Sequence, residues 1–250
     1  MPSQPQRCLL LAFAHPDDES VLAAGVACAY GGRGVKVVLA TGTRGEAGKP
    51  GDPPLCTREE LPAVRERELR AAAEVMGIDE LHLLGYRDRE LAAAPPDTVR
   101  EQLVRVIRSS RPEVVITFDP NGSNLHPDHV AISRFMSDAI AAARDPRWFP
   151  EAGKPHSVTR LLWPPRRPWE IIRAGAVESR PGVDYLIDIR PWAARKAAAL
   201  RAHRTQHLSM ERIFFSKPDT DLVLGAELFR QAWGPPPPSR PADDLFAGLG

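Results

Sequence analysis

Apolar runs long enough for a buried strand alternate with amphipathic stretches of helix length through the first 145 residues of this chain. That alternation is typical of a parallel sheet whose strands are connected by helices. The predicted strands are residues 8–14, 35–41, 80–84 and 114–118, and the predicted helices are residues 19–31, 58–76, 97–109 and 130–143. We therefore expect an α/β fold of the Rossmann-like, doubly wound type, with a mostly parallel sheet and helices on both faces.

The pattern weakens after residue 145. Strands are expected at residues 158–163 and 183–189, a helix at residues 191–203, and a Pro-rich loop at residues 164–169 between them. The chain ends in a Pro-rich stretch that we expect to be an extended tail. The predicted layout is a single domain of residues 1–240, made of a core (8–145) and a small C-terminal addition on the substrate side (146–233), followed by a Pro-rich tail (234–250).

The amino-acid composition limits the kinds of partner and the compartment that we expect for this protein. Hydrophobic residues at 43% and charged residues at 26% are typical of a globular chain, and 33 basic against 32 acidic residues give no basic field for nucleic acid. No apolar stretch approaches the roughly 20 residues that span a bilayer. The three cysteines Cys8, Cys28 and Cys56 are scattered, which favours a reducing compartment and predicts a cytoplasmic protein.

Two His/Asp clusters follow predicted strands. The first, His15-Pro16-Asp17-Asp18-Glu19, follows strand one, where a dinucleotide-binding fold would carry glycines; it contains none, so a nicotinamide or flavin site is not predicted. The second, His126-Pro127-Asp128-His129, follows strand four and repeats the spacing of three between potential ligands. Either cluster alone could simply cap a helix N-terminus.

Together the two clusters predict a metal site. Doubly wound sheets commonly place strands one and four side by side, and ligands bind outside their carboxyl ends, where the winding direction reverses. His15, Asp18 and His129 would then face one crevice. Two imidazoles and one carboxylate that leave a coordination position open are typical of catalytic zinc.

The same motifs resemble a known family. Ala14-His15-Pro16-Asp17-Asp18-Glu19, taken with His126-Pro127-Asp128-His129, is similar to the LmbE/PIG-L family of zinc-dependent N-deacetylases. Further similar segments are Gly42-Thr43-Arg44-Gly45-Glu46, Val64-Arg65-Glu66, Gly85-Tyr86-Arg87-Asp88 and residues 196–206. The resemblance covers most of residues 8–207.

The resemblance implies a division of roles. His15, Asp18 and His129 would bind one zinc ion per chain, with Fe²⁺ as an alternative ion, and Asp17 would be the general base for a metal-activated water. His126 would be protonated, to stabilise the oxyanion and supply a proton to the departing amine. A bell-shaped dependence of rate on pH is expected.

Substrate contacts are also implied by the resemblance. Residues similar to Glu46, Arg65 and Asp88 contact a sugar in the family, although each could instead form a surface ion pair. His203 is expected to support the site or to contact substrate, and residues 163–180 to select the substrate. Some family members carry a tyrosine shortly before the second motif, where this chain has Ser123-Asn124-Leu125. The oxyanion partner is therefore open, with Tyr185 a candidate.

The predicted function is removal of an N-acyl group, most simply acetyl, from an amino sugar or an N-acetylglucosamine (GlcNAc) conjugate. Two alternatives stay open. A two-His, one-carboxylate site also suits a non-haem iron(II) oxygenase. A non-enzymatic metal-binding or signalling domain would hold magnesium on Asp17 and Asp18, although imidazoles suit that ion poorly. The predicted partner is a small amino-sugar conjugate, with no nucleic acid and no membrane span; oligomeric state is left open.

Overall fold

The computed structural model describes residues 6–249. Its strands are β1 (Cys8–Phe13), β2 (Lys36–Thr43), β3 (Glu80–Tyr86), β4 (Val114–Thr117), β5 (Arg160–Trp163), β6 (Tyr185–Asp188) and β7 (Ala226–Trp233). Its α-helices are α1 (Asp18–Gly31), α2 (Leu61–Met76), α3 (Pro96–Ser110), α4 (Gly122–Leu125), α5 (Pro127–Ala143), α6 (Pro168–Ala174), α7 (Ala193–Ala202), α8 (His207–Met210) and α9 (Thr220–Leu224).

The seven strands form one sheet in the order β3-β2-β1-β4-β5-β7-β6. The five strands from β3 to β5 are parallel, and β7 is antiparallel to both β5 and β6. On β1, Leu10 pairs with Val38 of β2 on one side and with Val115 of β4 on the other. The winding direction therefore reverses between β1 and β4, as the sequence predicts.

Helices cover both faces of the sheet. α1, α2 and α7 pack together on one face, and α3 and α5 pack together on the other. All six residues of β1 are buried, which is the expected environment of a central parallel strand covered on both sides. Within residues 6–249, no helix is both long and apolar enough to cross a membrane.

The α/β prediction is confirmed, with differences in the C-terminal half. The predicted loop at residues 164–169 ends in a helix, because Pro168 occupies the first turn of α6. β7 has no counterpart in the prediction. Its apolar residues are interrupted by Glu227 and Gln231, and Glu227 is nevertheless buried because Lys196 pairs with it at 2.6 Å.

The C-terminal stretch is not a free extended tail in its described part. Leu245 and Phe246 are buried in the main core, and the backbone around them is held by Arg160. The fully buried guanidinium of Arg160 donates to the carbonyl oxygens of Leu245 (2.6 Å), Pro235 (3.1 Å) and Ala247 (3.0 Å). Amino-acid composition gives no sign that a buried arginine will bind backbone carbonyl oxygens of the C-terminal stretch. Composition alone therefore predicts an extended tail.

Replacing Arg160 by methionine should destabilise the fold by about 2–4 kcal/mol, because the carbonyl oxygens of Leu245 and Ala247 lose their side-chain donor, whereas that of Pro235 keeps Gln231. Urea unfolding of Arg160→Met measures this as a lower midpoint. Arg105→Met is the matched control, since Arg105 pairs with Glu101 at the surface of α3 and its loss should change stability by less than about 1 kcal/mol. Equal midpoints for the two variants would contradict this account of the tail.

Candidate active site

A cleft of about 240 Å³ lies at the carboxyl ends of β1 and β4. Its lining residues are His15, Asp17, Asp18, Ala47, Gly48, Arg65, Asp88, Arg89, Asn124, His126, His129 and Gln206. The structure thus brings together every candidate site residue from the sequence except Glu46, His203 and the oxyanion candidate Tyr185. The two histidine motifs meet, as the strand order requires.

The first motif is shaped by the junction of β1 and α1. β1 ends at Phe13, and α1 begins at Asp18, so the intervening residues form a tight turn. The backbone N–H of His15 donates to the Asp18 carboxylate at 2.8 Å. This local hydrogen bond places the His15 ring and the Asp18 carboxylate side by side at the strand end.

The second motif is shaped by the loop after β4. Gly122 has a φ of 62°, and a Cβ there would lie 2.6 Å from the Cβ of His129. Only glycine fits this approach, and its carbonyl oxygen accepts a hydrogen bond from Nδ1 of His129 at 3.1 Å. Phe118 stacks on the His129 ring with centroids 4.0 Å apart. The ring of His129 is therefore fixed on two sides.

Two imidazole nitrogens and one carboxylate converge in the cleft. Nδ1 of His15 lies 3.1 Å from Nε2 of His129 and 3.5 Å from Oδ2 of Asp18. The other oxygen of that carboxylate, Oδ1, lies 3.4 Å from Nε2 of His129. Ligands about 2.0–2.1 Å from a tetrahedral zinc ion lie about 3.3 Å apart. The separations fit such an ion, and the donor set of two imidazoles and a carboxylate suits zinc or another transition metal.

Hydrogen bonds select which ring nitrogens are free. Nε2 of His15 faces two carboxylates, Asp88 at 3.1 Å and Asp128 at 3.2 Å, so its proton is held there and Nδ1 is left as a ligand. Nδ1 of His129 donates to Gly122, which leaves Nε2. The two free nitrogens are the two that point at each other. Carboxylate partners of this kind orient a ligand histidine and raise its basicity.

Two other groupings bring ligand atoms within 4.8 Å of one another: His15, His126 and His129, and His15, Asp88 and Asp128. In the first, Nδ1 of His126 already accepts the N–H of Asp128 at 3.2 Å, so only Nε2 is available. In the second, backbone N–H groups of Ala47 and Arg89 donate to the two carboxylates, and both carboxylates face the His15 ring. Hydrogen bonds account for the second grouping except for Oδ1 of Asp128, which is buried without a hydrogen-bond partner within residues 6–249.

Charge and burial shift the titration of these groups. Burial opposes the charged form of Asp18, but the nearby rings of His129 and His15 outweigh it and hold the pKa of Asp18 well below its usual range. Burial likewise opposes a charged His15, but hydrogen bonds to Asp128, Asp18 and Asp88 raise its pKa. Burial lowers the pKa of His129, which keeps that imidazole neutral and able to bind a metal.

Asp17 differs from Asp18 in its surroundings. Burial raises the pKa of Asp17 to about 6, against the opposing charge of Arg65, whose guanidinium lies 3.3 Å from the carboxylate. The backbone of Asp17 is unusual, with a φ of 121° that side-chain-bearing residues rarely adopt. This conformation directs Asp17 away from the path of a regular helix start and places it on the cleft wall.

His126 is the candidate whose state departs from the sequence prediction. The prediction requires a protonated imidazole, whereas Nδ1 of His126 accepts the N–H of Asp128 and therefore carries no proton. Burial, followed by the charges of His15 and His129, lowers its pKa. The structure instead favours a neutral His126 with its proton on Nε2, which can still donate one hydrogen bond.

The predicted substrate residues divide into two groups. Arg65 and Asp88 line the cleft. Glu46 is half-buried beside it, and its Oε2 has no hydrogen-bond partner within residues 6–249. His203 is fully buried behind the cleft wall and pairs with Glu19 at 2.8 Å, so a direct substrate contact is not available to it.

Two further expectations are corrected. Tyr185 is fully buried, and its hydroxyl donates to Gln231 in the β6–β7 pair, so it is not the oxyanion partner. Residues 163–180 contribute nothing to the lining of the cleft. α6 from this stretch instead packs, through Trp169 and Ile172, on a separate apolar cluster that includes Phe214. The cleft rim is built by the loops after β2, β3 and β4.

Comparison with known proteins places the chain in a family. The family model described as PIG-L, GlcNAc-PI de-N-acetylase, matches residues 10–140. A Streptomyces avermitilis protein named 1D-myo-inositol 2-acetamido-2-deoxy-alpha-D-glucopyranoside deacetylase is 34% identical over 249 residues, which cover 82% of this chain and 85% of that protein. This chain belongs to the PIG-L family.

Other similar proteins are named for a different conjugate or show the same fold. A Bacillus anthracis protein named as a probable N-acetyl-alpha-D-glucosaminyl L-malate deacetylase 2 is 33% identical, over 80% of this chain and 82% of that one. The solved structure of N,N'-diacetylchitobiose deacetylase from Pyrococcus horikoshii superposes with a TM-score of 0.70 at 23% identity, over 90% of this chain and 83% of that one. That last likeness shows the fold alone.

Sequence reasoning missed several residues in and around this PIG-L cleft. It gives Asp128 no role of its own, although Asp128 lies between the two histidines of its motif and its carboxylate lies 3.2 Å from Nε2 of His15. Glu19, the last residue of the first motif, is fully buried and accepts the backbone N–H of Asp17 at 3.0 Å. The position of this carboxylate at the start of a predicted helix is a sequence signal that could have identified Glu19. Asn124 and Gln206 carry no such signal, because only the fold brings them to the cleft.

Replacing Asp128 by asparagine should weaken zinc binding about 10–100-fold, because His15 loses a carboxylate that orients its ring. Competition with a chromophoric chelator measures the affinity. Asp138→Asn is the matched control, since Asp138 lies on the same helix α5 and its carboxylate, 56% exposed, pairs with Arg100. If both variants bind zinc as tightly as the unmodified chain, Asp128 does not orient a ligand.

Proposed function

We propose that this protein is a zinc-dependent N-deacetylase that hydrolyses the acetamide of a GlcNAc conjugate. The observation that carries the proposal is the convergence of His15, Asp18 and His129, with ligand-atom separations of 3.1–3.5 Å, beside Asp17 and His126 in one cleft. Relatives named as deacetylases of GlcNAc-inositol and GlcNAc-malate conjugates support the substrate class.

His15 Nδ1, the Asp18 carboxylate and His129 Nε2 would hold the zinc ion. Bound there, zinc would supply a Lewis acid and lower the pKa of a neighbouring water toward about 7. Asp17 is adjacent in sequence to Asp18, so a cation held by Asp18 would favour the ionised form of Asp17 and offset the burial that raises the pKa of Asp17.

Asp17 would act as general base. Its carboxylate lies on the cleft wall, oriented by Arg65 at 3.3 Å, and takes a proton from the water that attacks the amide carbonyl. The same carboxyl group can return that proton to the nitrogen as the C–N bond breaks. The products are acetate and the free amine, and no further proton source is needed.

His126 would stabilise the oxyanion. With Nδ1 accepting the N–H of Asp128, its Nε2–H is the donor available to the cleft. A preorganised donor aimed at developing negative charge accelerates acyl transfer. In this proposal a neutral His126 donates a hydrogen bond, and proton transfer to the amine belongs to Asp17.

The alternative functions fit less well. An iron(II) oxygenase would leave the pairing of Asp17 with Arg65 and the orientation of His126 without a role. The non-enzymatic signalling alternative gains a third carboxylate for magnesium, because β3 continues to Tyr86 and Asp88 follows it closely. Asp88, however, binds the His15 ring at 3.1 Å, and the two imidazoles at the centre of the cleft are poor magnesium ligands.

Acetate release from GlcNAc-inositol and GlcNAc-malate tests the proposal. The zinc-loaded protein should release acetate from at least one of them. Asp17→Asn should lower kcat about 10²–10⁴-fold with zinc retained, because the amide cannot take the proton.

Asp97→Asn is the control, since that carboxylate is 81% exposed on α3, and it should keep full activity. An Asp17→Asn protein as active as the control, or a metal-free protein as active as the zinc-loaded one, would refute the proposal.

A further inference from the structure

The peptide group between Pro16 and Asp17 is held at both of its polar atoms. Arg65, which is buried, donates a hydrogen bond to the Pro16 carbonyl oxygen. On the other side, the N–H of Asp17 donates to Oε2 of Glu19 at 3.0 Å. One peptide plane is therefore clamped between a buried cation and a buried anion.

The clamp holds a residue, Asp17, whose backbone conformation is unfavourable. Asp17 has a φ of 121°, in the region that favours glycine, and a residue with a side chain stays there only when its surroundings hold it. Rotation about φ would swing the Asp17 side chain relative to the cleft. The direction of its carboxylate therefore depends on the hydrogen bond from its own N–H to Glu19.

Glu19 is itself held from a distant part of the chain. It is fully buried, and its Oε1 accepts from Nε2 of His203 at 2.8 Å and from the Ser20 hydroxyl at 2.7 Å. Ser20 also lies 3.1 Å from His203. His203 follows α7 in the C-terminal addition, has no exposed surface and does not line the cleft. Its side-chain hydrogen bonds run to Glu19 and Ser20, and of these Glu19 binds the backbone of Asp17.

We infer that His203 and Glu19 are positioning residues for Asp17: His203 fixes the Glu19 carboxylate, and Glu19 fixes the backbone of Asp17 so that its carboxylate faces the reacting water. The inference rests on the proposed role of Asp17 as general base. It also gives the C-terminal addition a part in catalysis, since the addition supplies the residue that completes the clamp.

A second buried glutamate, which lies on β7 and binds the same helix α1, provides a matched comparison. Glu227 accepts the backbone N–H groups of Gly25 and Val26, both at 2.8 Å, in the middle of α1, and pairs with Lys196. It holds α1 as Glu19 does, but away from the cleft. If loosening α1 were enough to lower the activity, removal of either glutamate would lower it.

Steady-state kinetics on Glu19→Met and Glu227→Met, both zinc-loaded, test the inference. Glu19→Met should lower kcat about 10²-fold with KM and zinc stoichiometry unchanged, because a base displaced by about 1 Å loses that much. Glu227→Met should lower thermal stability but leave kcat unchanged. Glu19→Gln should recover most of the activity, since its amide oxygen can still accept the Asp17 N–H.

Milder variants apply if Glu19→Met does not fold. Ser20→Ala removes one hydrogen-bond donor to Glu19, and His203→Gln replaces the other. Each variant should lower kcat, but by less than Glu19→Met does, again without a change in KM. The inference is overturned if these variants keep full kcat, if activity falls only together with zinc content, or if Glu227→Met loses as much kcat as Glu19→Met. An active Asp17→Asn would instead refute the proposed function itself.

Discussion

The parallel pairing of β1 with β4 is the constraint on which the site depends. Leu11 pairs with Ile116 and Ala12 with Thr117, so the two chain segments leave the sheet side by side. Two imidazoles that are 114 residues apart in sequence consequently have ring nitrogens 3.1 Å apart. If another strand took the place of β4 beside β1, the two imidazoles would be far apart, and no local feature of either motif could bring them together.

The site concentrates charge in a partly buried space. Asp18, Asp88 and Asp128 surround the His15 ring, and each carboxylate also accepts at least one backbone N–H. These donors offset part of the desolvation of the carboxylates. Because the pKa of His15 is raised, its Nδ1 holds a proton that can be shared with Nε2 of His129 in the metal-free chain. A divalent cation would take the place of that proton and be bound by both nitrogens and a carboxylate at once, which is the physical reason to place one there.

Much of this arrangement could be predicted from sequence, because both motifs follow strands whose order in the sheet obeys a general rule. The rule gives strand order, and hence the meeting of His15 with His129. It does not give long-range contacts made by single polar residues. The burial of His203 against Glu19 and the binding of the C-terminal segment by Arg160 depend on tertiary packing, and neither has a periodic or compositional signal.

The protonation state of His126 could not be predicted from the sequence either. Its ring accepts the N–H of a residue two positions later, a local geometry that follows from the exact path of the chain into α5. β7 was not predicted for a related reason, because Glu227, a charged residue near its start, is bound by backbone groups of α1 and by Lys196 of α7, which only the folded chain brings to it. Sequence patterns identify which groups are present, and the fold decides which of their atoms are free.

The central claim is that His15, Asp18 and His129 bind one metal ion together. Anomalous diffraction at the zinc edge, from crystals of the zinc-loaded protein, tests it directly. The account predicts a single peak about 2.0–2.2 Å from Nδ1 of His15, Nε2 of His129 and the Asp18 carboxylate. A peak bound instead by Asp88 and Asp128, or no ordered zinc in the cleft, would contradict it.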